Sequence, residues 1–392
     1  MNTKYILPIL AFGALATACS DEPSVSPQTD DATYINFGVP TATVETRAPE
    51  ALPEGVHQGS TLLNSIQSGT SFGVMGYCRA YQPGSTEIQP SSAVATWAAK
   101  KQNAFPEIFY QQEVTYDGSI CRYTYGDTGM PRKWLTDADG GGEDAGLFKY
   151  TFFSYYPKNS FKVTSPENAQ AKGAPVLEFS MPFSSTDEST PLDQSQVPDV
   201  MLDALYNTSK GGKVSFDFTH ALTALSFTVN NYNENMPLTV YKITLSGEFW
   251  KTMTVDMNET PAVADFKDTY KGTYTVYDNA NGMDIPASIG GTSVTPPAFA
   301  DQYMLLISGK VDNTTGMSYL GHKDLKVSIT YKFGKDGAEK TASFTRPATF
   351  VPRPGTMYQA QLNFVGDAFV LQFVTANNDY WEDGSDTDIT FE

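Results

Sequence analysis

Val214-Ser215-Phe216-Asp217-Phe218-Thr219-His220-Ala221-Leu222-Thr223-Ala224-Leu225-Ser226-Phe227-Thr228-Val229 has the alternation that puts successive side chains on opposite faces of a strand. The apolar parity changes along it, from Phe216, Phe218 and Leu222 to Leu225, Phe227 and Val229. A slip of one residue turns every later side chain to the other face, so a bulge or bend is expected near His220. A histidine within so apolar a strand reads as buried and hydrogen-bonded rather than catalytic.

Composition extends the β reading to the whole chain. With 22 Tyr, 24 Phe, 31 Gly and 24 Pro in 392 residues, the sequence is rich in strand formers and turn formers. That length suggests two cores rather than one. Upstream of the opening block, Ser209-Lys210-Gly211-Gly212-Lys213 is a flexible junction by composition, dividing a region 34–212 from a region 213–392. Residues 113–116 and 119–125 flank Asp117-Gly118, a dipeptide suited to the positive φ of a hairpin turn. Residues 149–156 and 303–307 are short apolar runs of the kind buried in a sandwich, and 198–207 is the best candidate for a short helix. In residues 34–44, Ile35, Phe37 and Val39 alternate with Tyr34, Asn36 and Gly38, marking a half-buried strand.

The N-terminus carries processing signals. Lys4 precedes an apolar run, residues 5–16, too short to span a bilayer, and Ala16-Thr17-Ala18 leads into Cys19. Residues 1–18 read as a lipoprotein signal peptide with Cys19 as the lipidated residue; an ordinary secretory signal cleaved nearby is the alternative. Residues 19–33 are polar and form a tether. Asp21 and Glu22 fit either a surface-export signal or a solvated spacer. After the 34–44 strand stands Glu45-Thr46-Arg47-Ala48-Pro49, an arginine followed by a small residue and a strand-ending proline.

The opening block resembles the "F-x-H-A-L" strand of the fimbrillin (Mfa-like) family, whose members build type V pili of Bacteroidetes-type bacteria. Further family-like blocks follow in order: Phe72-Gly73-Val74 with Gly76-Tyr77, Tyr150-Thr151-Phe152-Phe153-Ser154-Tyr155-Tyr156-Pro157, Pro354-Gly355-Thr356-Met357-Tyr358 and Trp381-Glu382-Asp383-Gly384. The resemblance implies an all-β chain of two β-sandwich domains with transthyretin-like topology, carried to the outer membrane surface by lipid on Cys19. It further implies cleavage between Arg47 and Ala48 by an arginine-specific protease, release of the first strand (34–47) and assembly with other pilin subunits by strand exchange into a fimbrium. The displaced strand would vacate pockets for Ile35, Phe37 and Val39. Residues 388–392, where Ile389 and Phe391 alternate with Asp388 and Thr390, look too short to donate a full strand, which points to a tip or minor subunit adhering to a host or bacterial surface ligand.

Other chemistries find little purchase. The formal charge of −18 argues against nucleic-acid or anionic-membrane binding, since phosphate contacts need clustered Lys and Arg. His57, His220 and His322 are far apart and form no zinc pair, no phosphate-cradling loop is present, and no cofactor is implied. Asp137, Asp139, Glu143 and Asp144 have oxygen ligands at suggestive spacing for calcium, but a solvated acidic loop is the simpler reading. Cys78 and Cys121 are either a disulfide or two buried apolar thiols. The rival function is a monomeric surface lipoprotein whose Tyr and Trp side chains stack on a glycan. No residue pattern singles out an enzyme.

Overall fold

The computed structural model describes residues 32–41, 52–63, 66–78, 97, 101, 104–135, 149–183, 193–234, 236–258, 263–287, 299–300, 302–308, 323–345, 352–375 and 389–390. The protein is all-β. Its strands are β1 (Asn36–Phe37), β2 (Thr70–Cys78), β3 (Phe109–Tyr116), β4 (Cys121–Arg122), β5 (Lys149–Tyr156), β6 (Phe161–Ser165), β7 (Val176–Ser180), β8 (Met201–Ser209), β9 (Lys213–Val214) and β10 (Thr219–His220). They continue as β11 (Thr223–Asn231), β12 (Leu238–Asp256), β13 (Val263–Ile285), β14 (Met304–Leu306), β15 (Lys323–Phe333), β16 (Glu339–Thr345), β17 (Met357–Val365), β18 (Ala368–Thr375) and β19 (Ile389–Thr390). Among the described residues no helix is long and apolar enough to cross a membrane.

The strands form a sheet ordered β10-β8-β5-β2-β3-β4, a second ordered β14-β11-β17-β18-β19, and a third ordered β16-β15-β12-β7-β6, with β1 and β9 paired separately. The long β12 carries β13 along one edge, while β15 and β7 share its other edge end to end. Strands from both sides of residues 209–213 therefore meet in each of two sheets: β7 pairs with β12 in one, and β8 with β10 in another.

The opening block explains itself once the sheets are known. Phe216 and Phe218 pack in one core with Phe72, Phe109 and Phe152. Leu225, Phe227 and Val229 pack in another with Ile243, Ile329 and Leu362. Between them the chain leaves the β8 edge at His220 and enters the middle of a different sheet at Thr223, so the parity change is a crossing between sheets and not a bulge within one. β11 is buried along its whole length because both its faces are covered.

The hairpin forms where expected: Thr115 pairs with Arg122 and Tyr116 with Cys121. Its turn takes in residues 117–120, with Gly118 at φ 98° and the Asp117 N–H donating to the Ile120 carbonyl at 3.1 Å. Residues 149–156 and 304–306 are strands, β5 and β14. The expected helix at 198–207 is instead the strand β8. Its backbone bonds to β5 override the local periodicity, and Asn207 at φ 62° lies where that pairing shifts register. Cys78 and Cys121 are buried thiols and are not joined in a disulfide.

Candidate assembly site

Residues 33–41 lie in an apolar groove as a strand borrowed by two neighbours. On one side the chain runs antiparallel to 132–134: the Ile35 N–H donates to the Arg132 carbonyl at 2.8 Å, and the Trp134 N–H to the Thr33 carbonyl at 3.0 Å. On the other it runs parallel to 213–218, with Asn36 opposite Lys213 and Phe37 opposite Val214. The Gly38 and Thr41 N–H groups donate to the Val214 and Phe216 carbonyls at 2.9 and 3.0 Å, and the Phe218 N–H returns to the Thr41 carbonyl at 2.9 Å. Both edges of the segment are thus satisfied by chain remote in sequence.

Its side chains reach the core. Ile35 is 0% and Phe37 2% exposed. The Phe37 ring stands 5.2 to 6.1 Å from the rings of Phe72, Phe109, Tyr123 and Phe216. Val39, expected to fill a third pocket, is 49% exposed, and Pro40 is buried instead. Between Phe37 and Val39, a Cβ on Gly38 would overlap Ser215 Oγ and lie 3.1 Å from Ser215 Cβ, so the chain passes close to 213–215 at this point.

Polar groups of the groove wall address the backbone of this segment. The Tyr123 hydroxyl donates to the Ile35 carbonyl at 2.6 Å and accepts from the Arg132 N–H at 3.1 Å. Burial holds the Tyr123 phenol above its ordinary pKa, so it remains a donor. The Cys121 thiol, from the far arm of the hairpin, donates to the Gly38 carbonyl at 3.2 Å. Burial first, and the Asp117 charge second, push that thiol up to about 12.

The remaining sequence candidates are dispersed. Cys19, Arg47, Ala48, His322, the 137–144 acidic loop and the Trp381 block lie outside the described residues. His220 is buried with its Nδ1 2.8 Å from Asp199 Oδ1, while Asp199 Oδ2 accepts the Leu63 N–H at 2.9 Å. This buried pair ties β10 to two connecting segments, a structural role. Exposed His57 lines a cavity of about 180 Å³ with Asp193, Gln302 and Met304. Gly69-Thr70-Ser71-Phe72-Gly73 has the spacing of a hydrolase nucleophile elbow, but it lies in β2 and no strand-to-helix turn lifts the serine. Ser71 is paired across the sheet with Thr115, their hydroxyls 3.1 Å apart. No group of three His, Cys, Asp or Glu suited to a metal occurs among the described residues. Ile389 and Thr390 pair with Phe373 and Gln372 at the edge of β18.

No family model and no curated protein matches the chain. Among solved structures it is similar to a candidate cell adhesion protein from Bacteroides ovatus, at 17% identity and TM-score 0.41 over 89% of this chain and 98% of that one. It is also similar to a fimbrial assembly protein from Parabacteroides distasonis, at 10% identity and TM-score 0.34 over 79% and 88% of the two chains. A third is the tip fimbrial protein of Porphyromonas gingivalis with C-terminal truncation, at 8% identity and TM-score 0.33 over 79% and 94%. All three are described as adhesion or fimbrial proteins.

Proposed function

We propose that this chain is a subunit of a cell-surface pilus, in a tip or minor position, assembled by donor-strand exchange after cleavage following Arg47. The observation that carries the reading is the state of residues 33–41, a strand held on both edges by distant chain, with Ile35 and Phe37 sunk in an aromatic core. The Arg47-Ala48 bond follows six residues after Thr41. Loss of the segment would leave unpaired N–H and C=O groups and two vacant pockets, an edge that recruits another strand. An incoming strand regains roughly 0.5–1.5 kcal/mol per backbone bond and roughly 1.5–3 kcal/mol per buried side chain, enough together for a long-lived joint. The tip or minor position is favoured because part of the segment after Trp381-Glu382-Asp383-Gly384, Ile389–Thr390, is already engaged with β18.

The test is the N-terminal sequence and intact mass of the protein sheared from its native cells. A start at Ala48 is expected. A start at lipidated Cys19 overturns the reading and leaves an anchored lipoprotein, either a basal subunit or a glycan binder.

A further inference from the structure

We propose that the groove is selective, accepting from another subunit an extended segment that reads aliphatic, any residue, aromatic, glycine, and that runs parallel to β9. The inference rests on the strand-exchange reading and adds what the donor must look like. The present occupant supplies the template. Ile35 and Phe37 enter adjacent pockets two residues apart, and the aromatic pocket is walled by Phe72, Phe109, Tyr123 and Phe216. The next position faces Ser215, where a side chain collides. Direction follows from hydrogen bonding, because the Gly38 and Thr41 N–H groups meet the Val214 and Phe216 carbonyls in a parallel register.

The aliphatic and aromatic spacing recurs at many points of this chain, and Leu10-Ala11-Phe12-Gly13, within residues 1–18, carries all four features. Ile389-Thr390-Phe391 repeats the aliphatic and aromatic spacing of Ile35-Asn36-Phe37, but Glu392 stands where Gly38 does. A glutamate there would meet Ser215, whose Oγ a Cβ at this position already overlaps. Residues 389–392 of a second copy are therefore a poor donor segment.

The experiment uses the full chain with a specific protease site placed across residues 45–48, cut and then incubated with fluorescent peptides while exchange is followed by anisotropy. A peptide of residues 33–41 should bind. Its Gly38→Val form should bind at least tenfold more weakly, and should recover much of that loss on a Ser215→Gly acceptor; Ser215 is exposed, so that variant should fold. If the parent peptide fails to exchange, the groove reading fails and this inference with it. If it binds but Gly38→Val binds equally well, the selectivity is overturned and the groove reading stands. A peptide of residues 386–392 that competes as strongly as the parent overturns the exclusion of that segment and the glycine requirement with it.

Discussion

Cutting the chain after Arg47 and displacing residues 33–41 should unmask Cys121. In the intact protein its thiol is covered by the Gly38 carbonyl and its pKa stands near 12 rather than the ordinary 9.0. At pH 8 that difference lowers the thiolate fraction from about one in ten to about one in ten thousand, and only the thiolate reacts. Removing the strand opens the groove to water, so labelling by Ellman's reagent should accelerate, with about a thousandfold as the ceiling set by full return to the ordinary ionisation. The measurement is made in a chain carrying Cys19→Ser and Cys78→Ala, so that Cys121 is the sole reporter, with circular dichroism showing that the remaining sheets persist. A rise of less than about tenfold with the sheets intact would refute the claim that this segment forms the lid of the groove. A donor peptide that fills the groove should return the rate towards its starting value.

Phe37→Ala should cost about 3–5 kcal/mol in chemical denaturation, whereas Val39→Ala, at a half-exposed position, should stay within about 0.5 kcal/mol. Gly73→Ala would push a methyl group into the Tyr155 ring across the β2–β5 pair, and should lose about 1–3 kcal/mol in the same assay. Asp199→Ala strips the partner from the Leu63 N–H and from His220 Nδ1 in a buried site, and a loss of about 1–3 kcal/mol per orphaned group should appear as a lower Tm. Asp117 is held down to about 2 by the Ile120 N–H first, then by Arg122 and the Ser119 N–H. Because its folded pKa is depressed, its support of the hairpin is complete above the ordinary 3.8 and is lost as pH falls through about 2; amide protection at Ile120 should follow that course.

What the sequence revealed depended on how local the determining physics was. The 117–120 turn was legible because Asp117 and Gly118 carry the needed chemistry themselves, and β5 because an unbroken apolar run has few other fates. β8 was not legible. Both its faces meet apolar cores, Met201 and Leu205 on one side and Leu202, Ala204 and Tyr206 on the other, so no apolar–polar alternation marks it as a strand. The crossing at 220–223 was visible as a parity change, but a change of parity does not say whether a strand bulges or departs. Ile35 and Phe37 were readable from alternation, whereas Val39 departs from it, half-exposed beside a buried Pro40. Cys121 and Tyr123 as wall groups had no signal beyond their place on the hairpin's second arm.

The covalent path from β9 to β11 has a mechanical consequence. Tension on a segment seated at 33–41 passes through backbone bonds to 213–218, and the same chain continues through β10 into β11. There the load meets a parallel ladder of eight residue pairs with β17, from Ala224–Met357 to Asn231–Phe364. Pulled along its length, such a ladder shares the force among its bonds, whereas a hairpin pulled from its open end parts one bond at a time. The strand lining the groove is thereby spliced to the most deeply buried strand of the molecule, and a tug on the joint is borne in shear by the second core.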